Sequence, residues 1–125
     1  MAQESINIPG LDFEKGLDAF EDDMDDYMSA LHSFVKNSPD FIGKLRGLTK
    51  ENMPEYALTI HGLKSISAWI CAENIHRESV ELEVLAKAGD FSAVAARNDQ
   101  FLNNTEKFIN DLKSLLEADS AAPEG

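Results

Sequence analysis

Cysteine is nearly absent from this chain: Cys71 is the only one in 125 residues. A single thiol excludes an internal disulfide and a thiolate metal cage, and it fits a reducing compartment. Basic side chains are also scarce, with 11 Lys and Arg against 23 Asp and Glu, a formal net charge of -12. That balance argues against a nucleic-acid backbone as the main partner, and against a membrane surface for the same reason. No segment approaches the roughly 20 apolar residues of a membrane span, and Met1 to Pro9 carries neither a basic region nor an apolar run. A cytoplasmic location is therefore expected. No stretch alternates as a β-strand does, and no glycine-rich loop could cradle the phosphates of ATP.

What remains is the composition of a globular protein, 43% hydrophobic and 27% charged, at the size of one domain. Residues 1–10 read as a polar leader ending in Pro9-Gly10, residues 11–118 as the domain, and residues 119–125 as a frayed polar tail. Asp12 can cap a short helix carrying Leu17 and Phe20. From about Asp22, the positions Met24, Tyr27, Met28, Leu31, Phe34 and Val35 follow helical spacing behind an acidic first turn. Ser38-Pro39 predicts a kink and a fresh helix start carrying Phe41, Ile42, Leu45 and Leu48, with its end near Gly47. Asn52 and Pro54 predict the next start, of a helix running to Trp69 or Ile70. Ile75, Leu82, Leu85 and Ala86 mark another, ended by Gly89, and Asp90 can cap the longest apolar stripe, from Phe91 to Leu116. The expected fold is all-α, an antiparallel four-helix bundle with a short N-terminal capping helix.

The stretch that carries chemistry is Thr59 to Ala68. At about 100° per residue, Ala57, Leu58, Lys64, Ser65 and Ala68 fall within roughly 60° of His61, while Tyr56, Ile60, Leu63, Ile66 and Ile70 point to the other half. The helix thus buries one side and presents a histidine among short side chains, with an ammonium group one turn away. That arrangement suits holding a phosphoryl group. No carboxylate is evident beside Lys64, so its role rests on the spacing to His61. Gly62, a weak helix residue, has two readings: room for a partner's backbone to come close, or a residue that a well-packed helix simply tolerates. Trp69 lies on the flank of the same face, and two places are open to it: under the next helix or on a docking surface.

His61-Gly62-Leu63-Lys64-Ser65, followed by Ser67-Ala68, Ile70, Ala72, Leu82-Glu83 and Ala88-Gly89-Asp90, resembles the histidine-containing phosphotransfer (HPt) domain. Leu11 to Leu17 and the Tyr27, Leu31, Phe34 pattern extend the resemblance to about residues 8–117. It implies a phosphorelay carrier that takes a phosphoryl group on His61 from a receiver phospho-aspartate and passes it to another receiver. Lys64 would then offset the phosphoryl charge, and the Ser65 hydroxyl would be a further donor to a phosphoryl oxygen. Ala57, Leu58, Gly62, Ala68 and Trp69 would form the docking face. The implied partners are response-regulator receiver domains and a hybrid or sensor histidine kinase. The carrier itself would be a monomer without cofactor, the Mg²⁺ belonging to the receiver. Two residues depart from the pattern: Ser65 and Cys71 stand where members commonly have glycine, and Cys71 is expected to shift the turn rather than the chemistry.

Two other readings compete. An HPt-like bundle could bind receivers or kinases without being phosphorylated, although degenerate members usually lack the histidine that is present here. A carboxylate metal enzyme would use Glu73-x-x-His76, but a di-iron bundle needs two such pairs and two more glutamates. Asp22-Asp23-Met24-Asp25-Asp26 lacks the glycine and closing glutamate of an EF-hand loop and reads as a helix N-terminus.

Overall fold

The computed structural model describes residues 7–121, with side chains to residue 118. Residues 1–6 of the expected leader and 122–125 of the expected tail lie outside the described residues. Five helices follow one another: α1 Phe13–Ala19, α2 Met24–Arg46, α3 Met53–Trp69, α4 Glu73–Lys87 and α5 Phe91–Ala121. Among the described residues there is no strand, only an isolated bridge between Leu11 and Ala72. No helix among them is long and apolar enough to cross a membrane.

Local chemistry accounts for most helix ends. The Asp12 carboxylate accepts from the Lys15 N–H at 3.1 Å, Asp23 from Asp26 at 3.0 Å, and Asp90 from Ala93 at 3.1 Å, each satisfying an N–H that lacks an intrahelical partner. The acidic run from Asp22 to Asp26 is thereby a helix start. Gly47 closes α2, and Gly89, at φ +76°, takes the left-handed turn after α4.

The fresh start expected at Ser38-Pro39 does not occur. Pro39 lies inside the 23-residue α2. Proline removes one backbone N–H, but Phe34, Ile42 and Leu45 on either side remain buried in one stripe, and their packing holds the helix together. Ser38 is buried and its hydroxyl donates to the Phe34 carbonyl at 2.6 Å, so it serves the helix interior and not a cap. Asn52 likewise makes no side-chain cap on α3. Its amide accepts from the Thr49 N–H and donates to the Gly47 carbonyl, both at 2.8 Å, fastening the α2–α3 connection instead.

Each helix packs on the next along the chain from α2 to α5, α5 packs back on α2, and α1 lies on α2. The enclosed core includes Tyr27, Leu31, Phe34, Ile60, Leu63, Leu82, Leu102 and Leu112. One buried polar link crosses it. The Tyr56 hydroxyl donates to Asn98 at 2.8 Å, and the Asn98 amide donates to the Leu45 carbonyl at 2.9 Å, joining α3, α5 and the end of α2.

The boundary expected at residue 11 falls inside a packed strap. Ile8 is buried, the Glu73 N–H donates to the Gly10 carbonyl at 2.8 Å, and the Asp12 N–H donates to the Cys71 carbonyl at 3.0 Å. The strap crosses the turn between α3 and α4, where Cys71 itself sits at φ +63°. Cysteine occupies the left-handed conformation that a glycine would take more easily, and α4 begins two residues later. Burial pushes its thiol pKa up.

Candidate functional site

α3 and α4 together bring four ionisable side chains to one place. His61 and Lys64 come from successive turns of α3, and Glu83 and Lys87 from successive turns of α4. Glu83 is the centre: its side chain is only 6% exposed, yet three donors reach it. The Lys64 ammonium lies 2.6 Å from Oε1, and His61 Nδ1 and the Lys87 ammonium lie 2.8 Å and 3.1 Å from Oε2. A buried carboxylate is costly unless paired, and these partners supply the compensation. The hydrogen bond from Lys64 is the largest influence. With those from Lys87 and His61, it outweighs burial and holds the Glu83 carboxyl down to about 2.

The anionic Glu83 decides the chemistry of the histidine. A carboxylate only accepts, so the proton of the neutral imidazole belongs on Nδ1, and the lone pair is left on Nε2. The His61 side chain is 55% exposed, and among the described residues Nε2 has no hydrogen-bond partner. The product is an oriented imidazole with a free nucleophilic nitrogen on an open face.

The other expected site residues separate into those on this face and those that are not. Leu58 is 74% exposed, and Ala68 is exposed as well. Trp69 is 50% exposed and rests its ring on Phe20, centroids 5.8 Å apart; Phe20 belongs to the α1–α2 turn, so the tryptophan is not under the following helix. Ala57 is buried, at 9% exposure, and so offers no surface to a docking partner, although it shares an angular sector of α3 with Lys64. Gly62 makes room for the chain's own α2. A Cβ there would come within 2.7 Å of Phe41 Cε1. The Ser65 hydroxyl donates to the His61 carbonyl at 3.1 Å, an ordinary back-bond within the helix. Lys64, which has no carboxylate beside it in sequence, has the closest contact to Glu83 in space.

Glu83 falls within the sequence resemblance without a role given to it, and Lys87 is not singled out there; the exposed apolar Val80 and Val84 lie on the same helix. The signal that was available is weak: Glu83 and Lys87 stand at the i, i+4 spacing of a helix ion pair. His76 is half-buried, its Nδ1 lies 3.3 Å from the Lys64 carbonyl, and Glu73 pairs with Lys15 at 3.0 Å. The two therefore face different partners. Among the described residues no group of three or more His, Cys, Asp or Glu could hold a metal ion.

The low pKa of Glu83 has a sign that can be tested. As pH falls, the unfolded chain takes up this proton near the ordinary 4.5, whereas the folded chain resists until about 2. Glu83 therefore contributes stability that is complete above pH 4.5 and disappears as pH falls toward 2. A Glu83→Gln variant is expected to be less stable than the parent by about 1.5–3 kcal/mol at pH 7, the range for hydrogen bonds to charged groups. The gap should narrow as pH falls below 4.5 and close near pH 2. Urea melts across pH 2–7 would check this, and a gap constant with pH would mean that the carboxylate is not the stabilising form.

No family model, no curated protein and no solved structure matches this chain.

Proposed function

We propose that this chain is a histidine phosphotransfer carrier: His61 accepts a phosphoryl group from the phospho-aspartate of one receiver domain and passes it to another. In this reading α2 to α5 are the antiparallel four-helix bundle of an HPt domain, capped by α1. The chain acts as a cytoplasmic monomer, and a hybrid or sensor histidine kinase feeds the relay.

The observation that carries the reading is the pairing of His61 Nδ1 with buried Glu83 beside an exposed ring. The Nε2 lone pair attacks phosphorus, the P–O bond to the donor aspartate breaks, and the aspartate leaves as carboxylate with the bonding electrons. The Nδ1 proton stays where it is, facing Glu83, so the phosphorylated ring is an imidazolium balanced by that carboxylate, and it leaves as neutral imidazole in the return step without a proton transfer. That step reverses the sequence: an acceptor carboxylate attacks phosphorus, and the N–P electron pair returns to Nε2. Phosphoryl transfer needs mainly positioning and charge stabilisation, and the divalent cation is expected in the receiver. Leu58, Ala68 and Trp69 on α3, and Val84 on α4, leave exposed apolar surface on the two helices that form the site, for such a domain to cover.

The direct test is to incubate the chain with a labelled, phosphorylated receiver domain and follow the label. Acid-labile label on the peptide containing His61 is the expected result. If none appears with several receivers that nevertheless bind, the chain is an interaction module and the proposal is wrong.

A further inference from the structure

We propose that the two lysines divide the work: Lys87 is the cation that meets the phosphoryl group on His61, and Lys64 is the fixed counter-ion of Glu83. This rests on His61 being the phosphoacceptor. The spacing of His61 and Lys64 on one helix would give the phosphoryl role to Lys64, but their surroundings differ in the opposite sense. The Lys64 side chain is 26% exposed and its ammonium lies 2.6 Å from Glu83 Oε1, on a carboxylate that is almost wholly buried. Moving it to a phosphoryl group would strip a buried anion of its closest partner.

The Lys87 side chain is 66% exposed, sits in the last turn of α4, and makes the longer contact, 3.1 Å. It contacts Oε2, the oxygen that also faces His61 Nδ1, so its ammonium already stands beside the imidazole. A phosphoryl group brings a charge of about -1.5 to -2 to that spot. Lys87 can swing to it on a flexible stem with three donors, while Glu83 keeps Lys64 and the His61 N–H. The exchange sacrifices one exposed ion pair and leaves the buried one intact.

Phosphorylating His61 chemically with potassium phosphoramidate tests this without any receiver. The Nε2–P bond forms, the P–N bond of the reagent, which is protonated on its own nitrogen, breaks, and neutral ammonia leaves while Nδ1 keeps its proton. The phosphoryl group is then titrated by phosphorus NMR in the parent chain and in Lys87→Ala, Lys87→Arg and Lys64→Ala. Losing a nearby cation raises an acid's pKa, so Lys87→Ala should shift the phosphoryl titration upward by about 0.5–1 unit. Lys87→Arg should restore it. Lys64→Ala should move it less and lower the melting temperature of the unphosphorylated chain more. A helix-stabilising ion pair alone would leave the phosphoryl titration unmoved. The proposal is overturned if Lys87→Ala titrates like the parent, or if Lys64→Ala gives the larger shift. A parent chain that forms no acid-labile phosphohistidine with this reagent overturns the phosphoacceptor reading itself, a result distinguishable from either of these.

Discussion

A His61→Gln variant is expected to accept no phosphoryl group while melting within about 2 °C of the parent chain, the shift that follows from the small cost of surface substitutions in a domain of this size. The two halves of this expectation come from different observations. Loss of acceptance follows because glutamine has no lone-pair nitrogen: its amide nitrogen is a donor, and its oxygen is a poor nucleophile. Near-constant stability follows because the His61 side chain is 55% exposed and makes one side-chain hydrogen bond, to Glu83. Glu83 keeps Lys64 and Lys87 in the variant, and the glutamine amide is long enough to donate to Oε2 in place of Nδ1. Label transfer from a phosphorylated receiver, read beside a thermal melt, measures both. Acid-labile label persisting on the variant would move the phosphoacceptor elsewhere. A drop of many degrees would show that the ring is a packing element, and the nucleophile would need another explanation.

How far such a site can be read from sequence depends on whether its contacts are local. Asp12 and Asp90 bond N–H groups three residues away, so their caps were legible, as were the closures at Gly47 and Gly89; the acidic run showed a helix start without showing that Asp23 is its cap. Pro39 was misread because the penalty for an internal proline is also local, whereas burial of Phe34, Ile42 and Leu45 is not, and burial prevailed. A helical wheel gives the direction of a side chain but not what stands opposite it. Ala57 and His61 share a face by angle, yet the packed chain buries one and leaves the other open. Gly62 looks like space left for a partner until Phe41 is found filling it. Glu83 is 22 residues from His61 and on a different helix. Nothing in the spacing of either helix alone sets the register that brings them to 2.8 Å, so Glu83 appears in the sequence pattern without its pairing to the imidazole being legible.

The largest loss of stability from a single methyl group is expected at Gly16→Ala, far from His61. Gly16 is buried on α1, and a Cβ built there lands on the ring and hydroxyl of Tyr27. Tyr27 has no room to yield. It is fully buried, its ring lies 5.4 Å from that of Phe13 and 5.2 Å from that of Phe20, and its hydroxyl donates to the Ile70 carbonyl at 2.8 Å. Either Tyr27 shifts and abandons Ile70, at the end of α3, or α1 lifts from α2. Overpacking costs about 1–3 kcal/mol and an abandoned buried hydrogen bond about as much again, against a gain of roughly 1 kcal/mol for alanine over glycine in a helix. The melting temperature should fall by about 10 °C. Trp69, the only tryptophan, reports which route is taken, because its ring rests on Phe20. Lifting α1 should expose the indole and shift its emission to the red, whereas a shift of Tyr27 alone should leave the emission in place. The clash includes the hydroxyl, so Gly16→Ala combined with Tyr27→Phe should cost less than the sum of the two changes. Additive costs would show that the crowding involves the ring alone, and a neutral Gly16→Ala would show that α1 does not hold Tyr27 against the end of the α3 helix that carries His61.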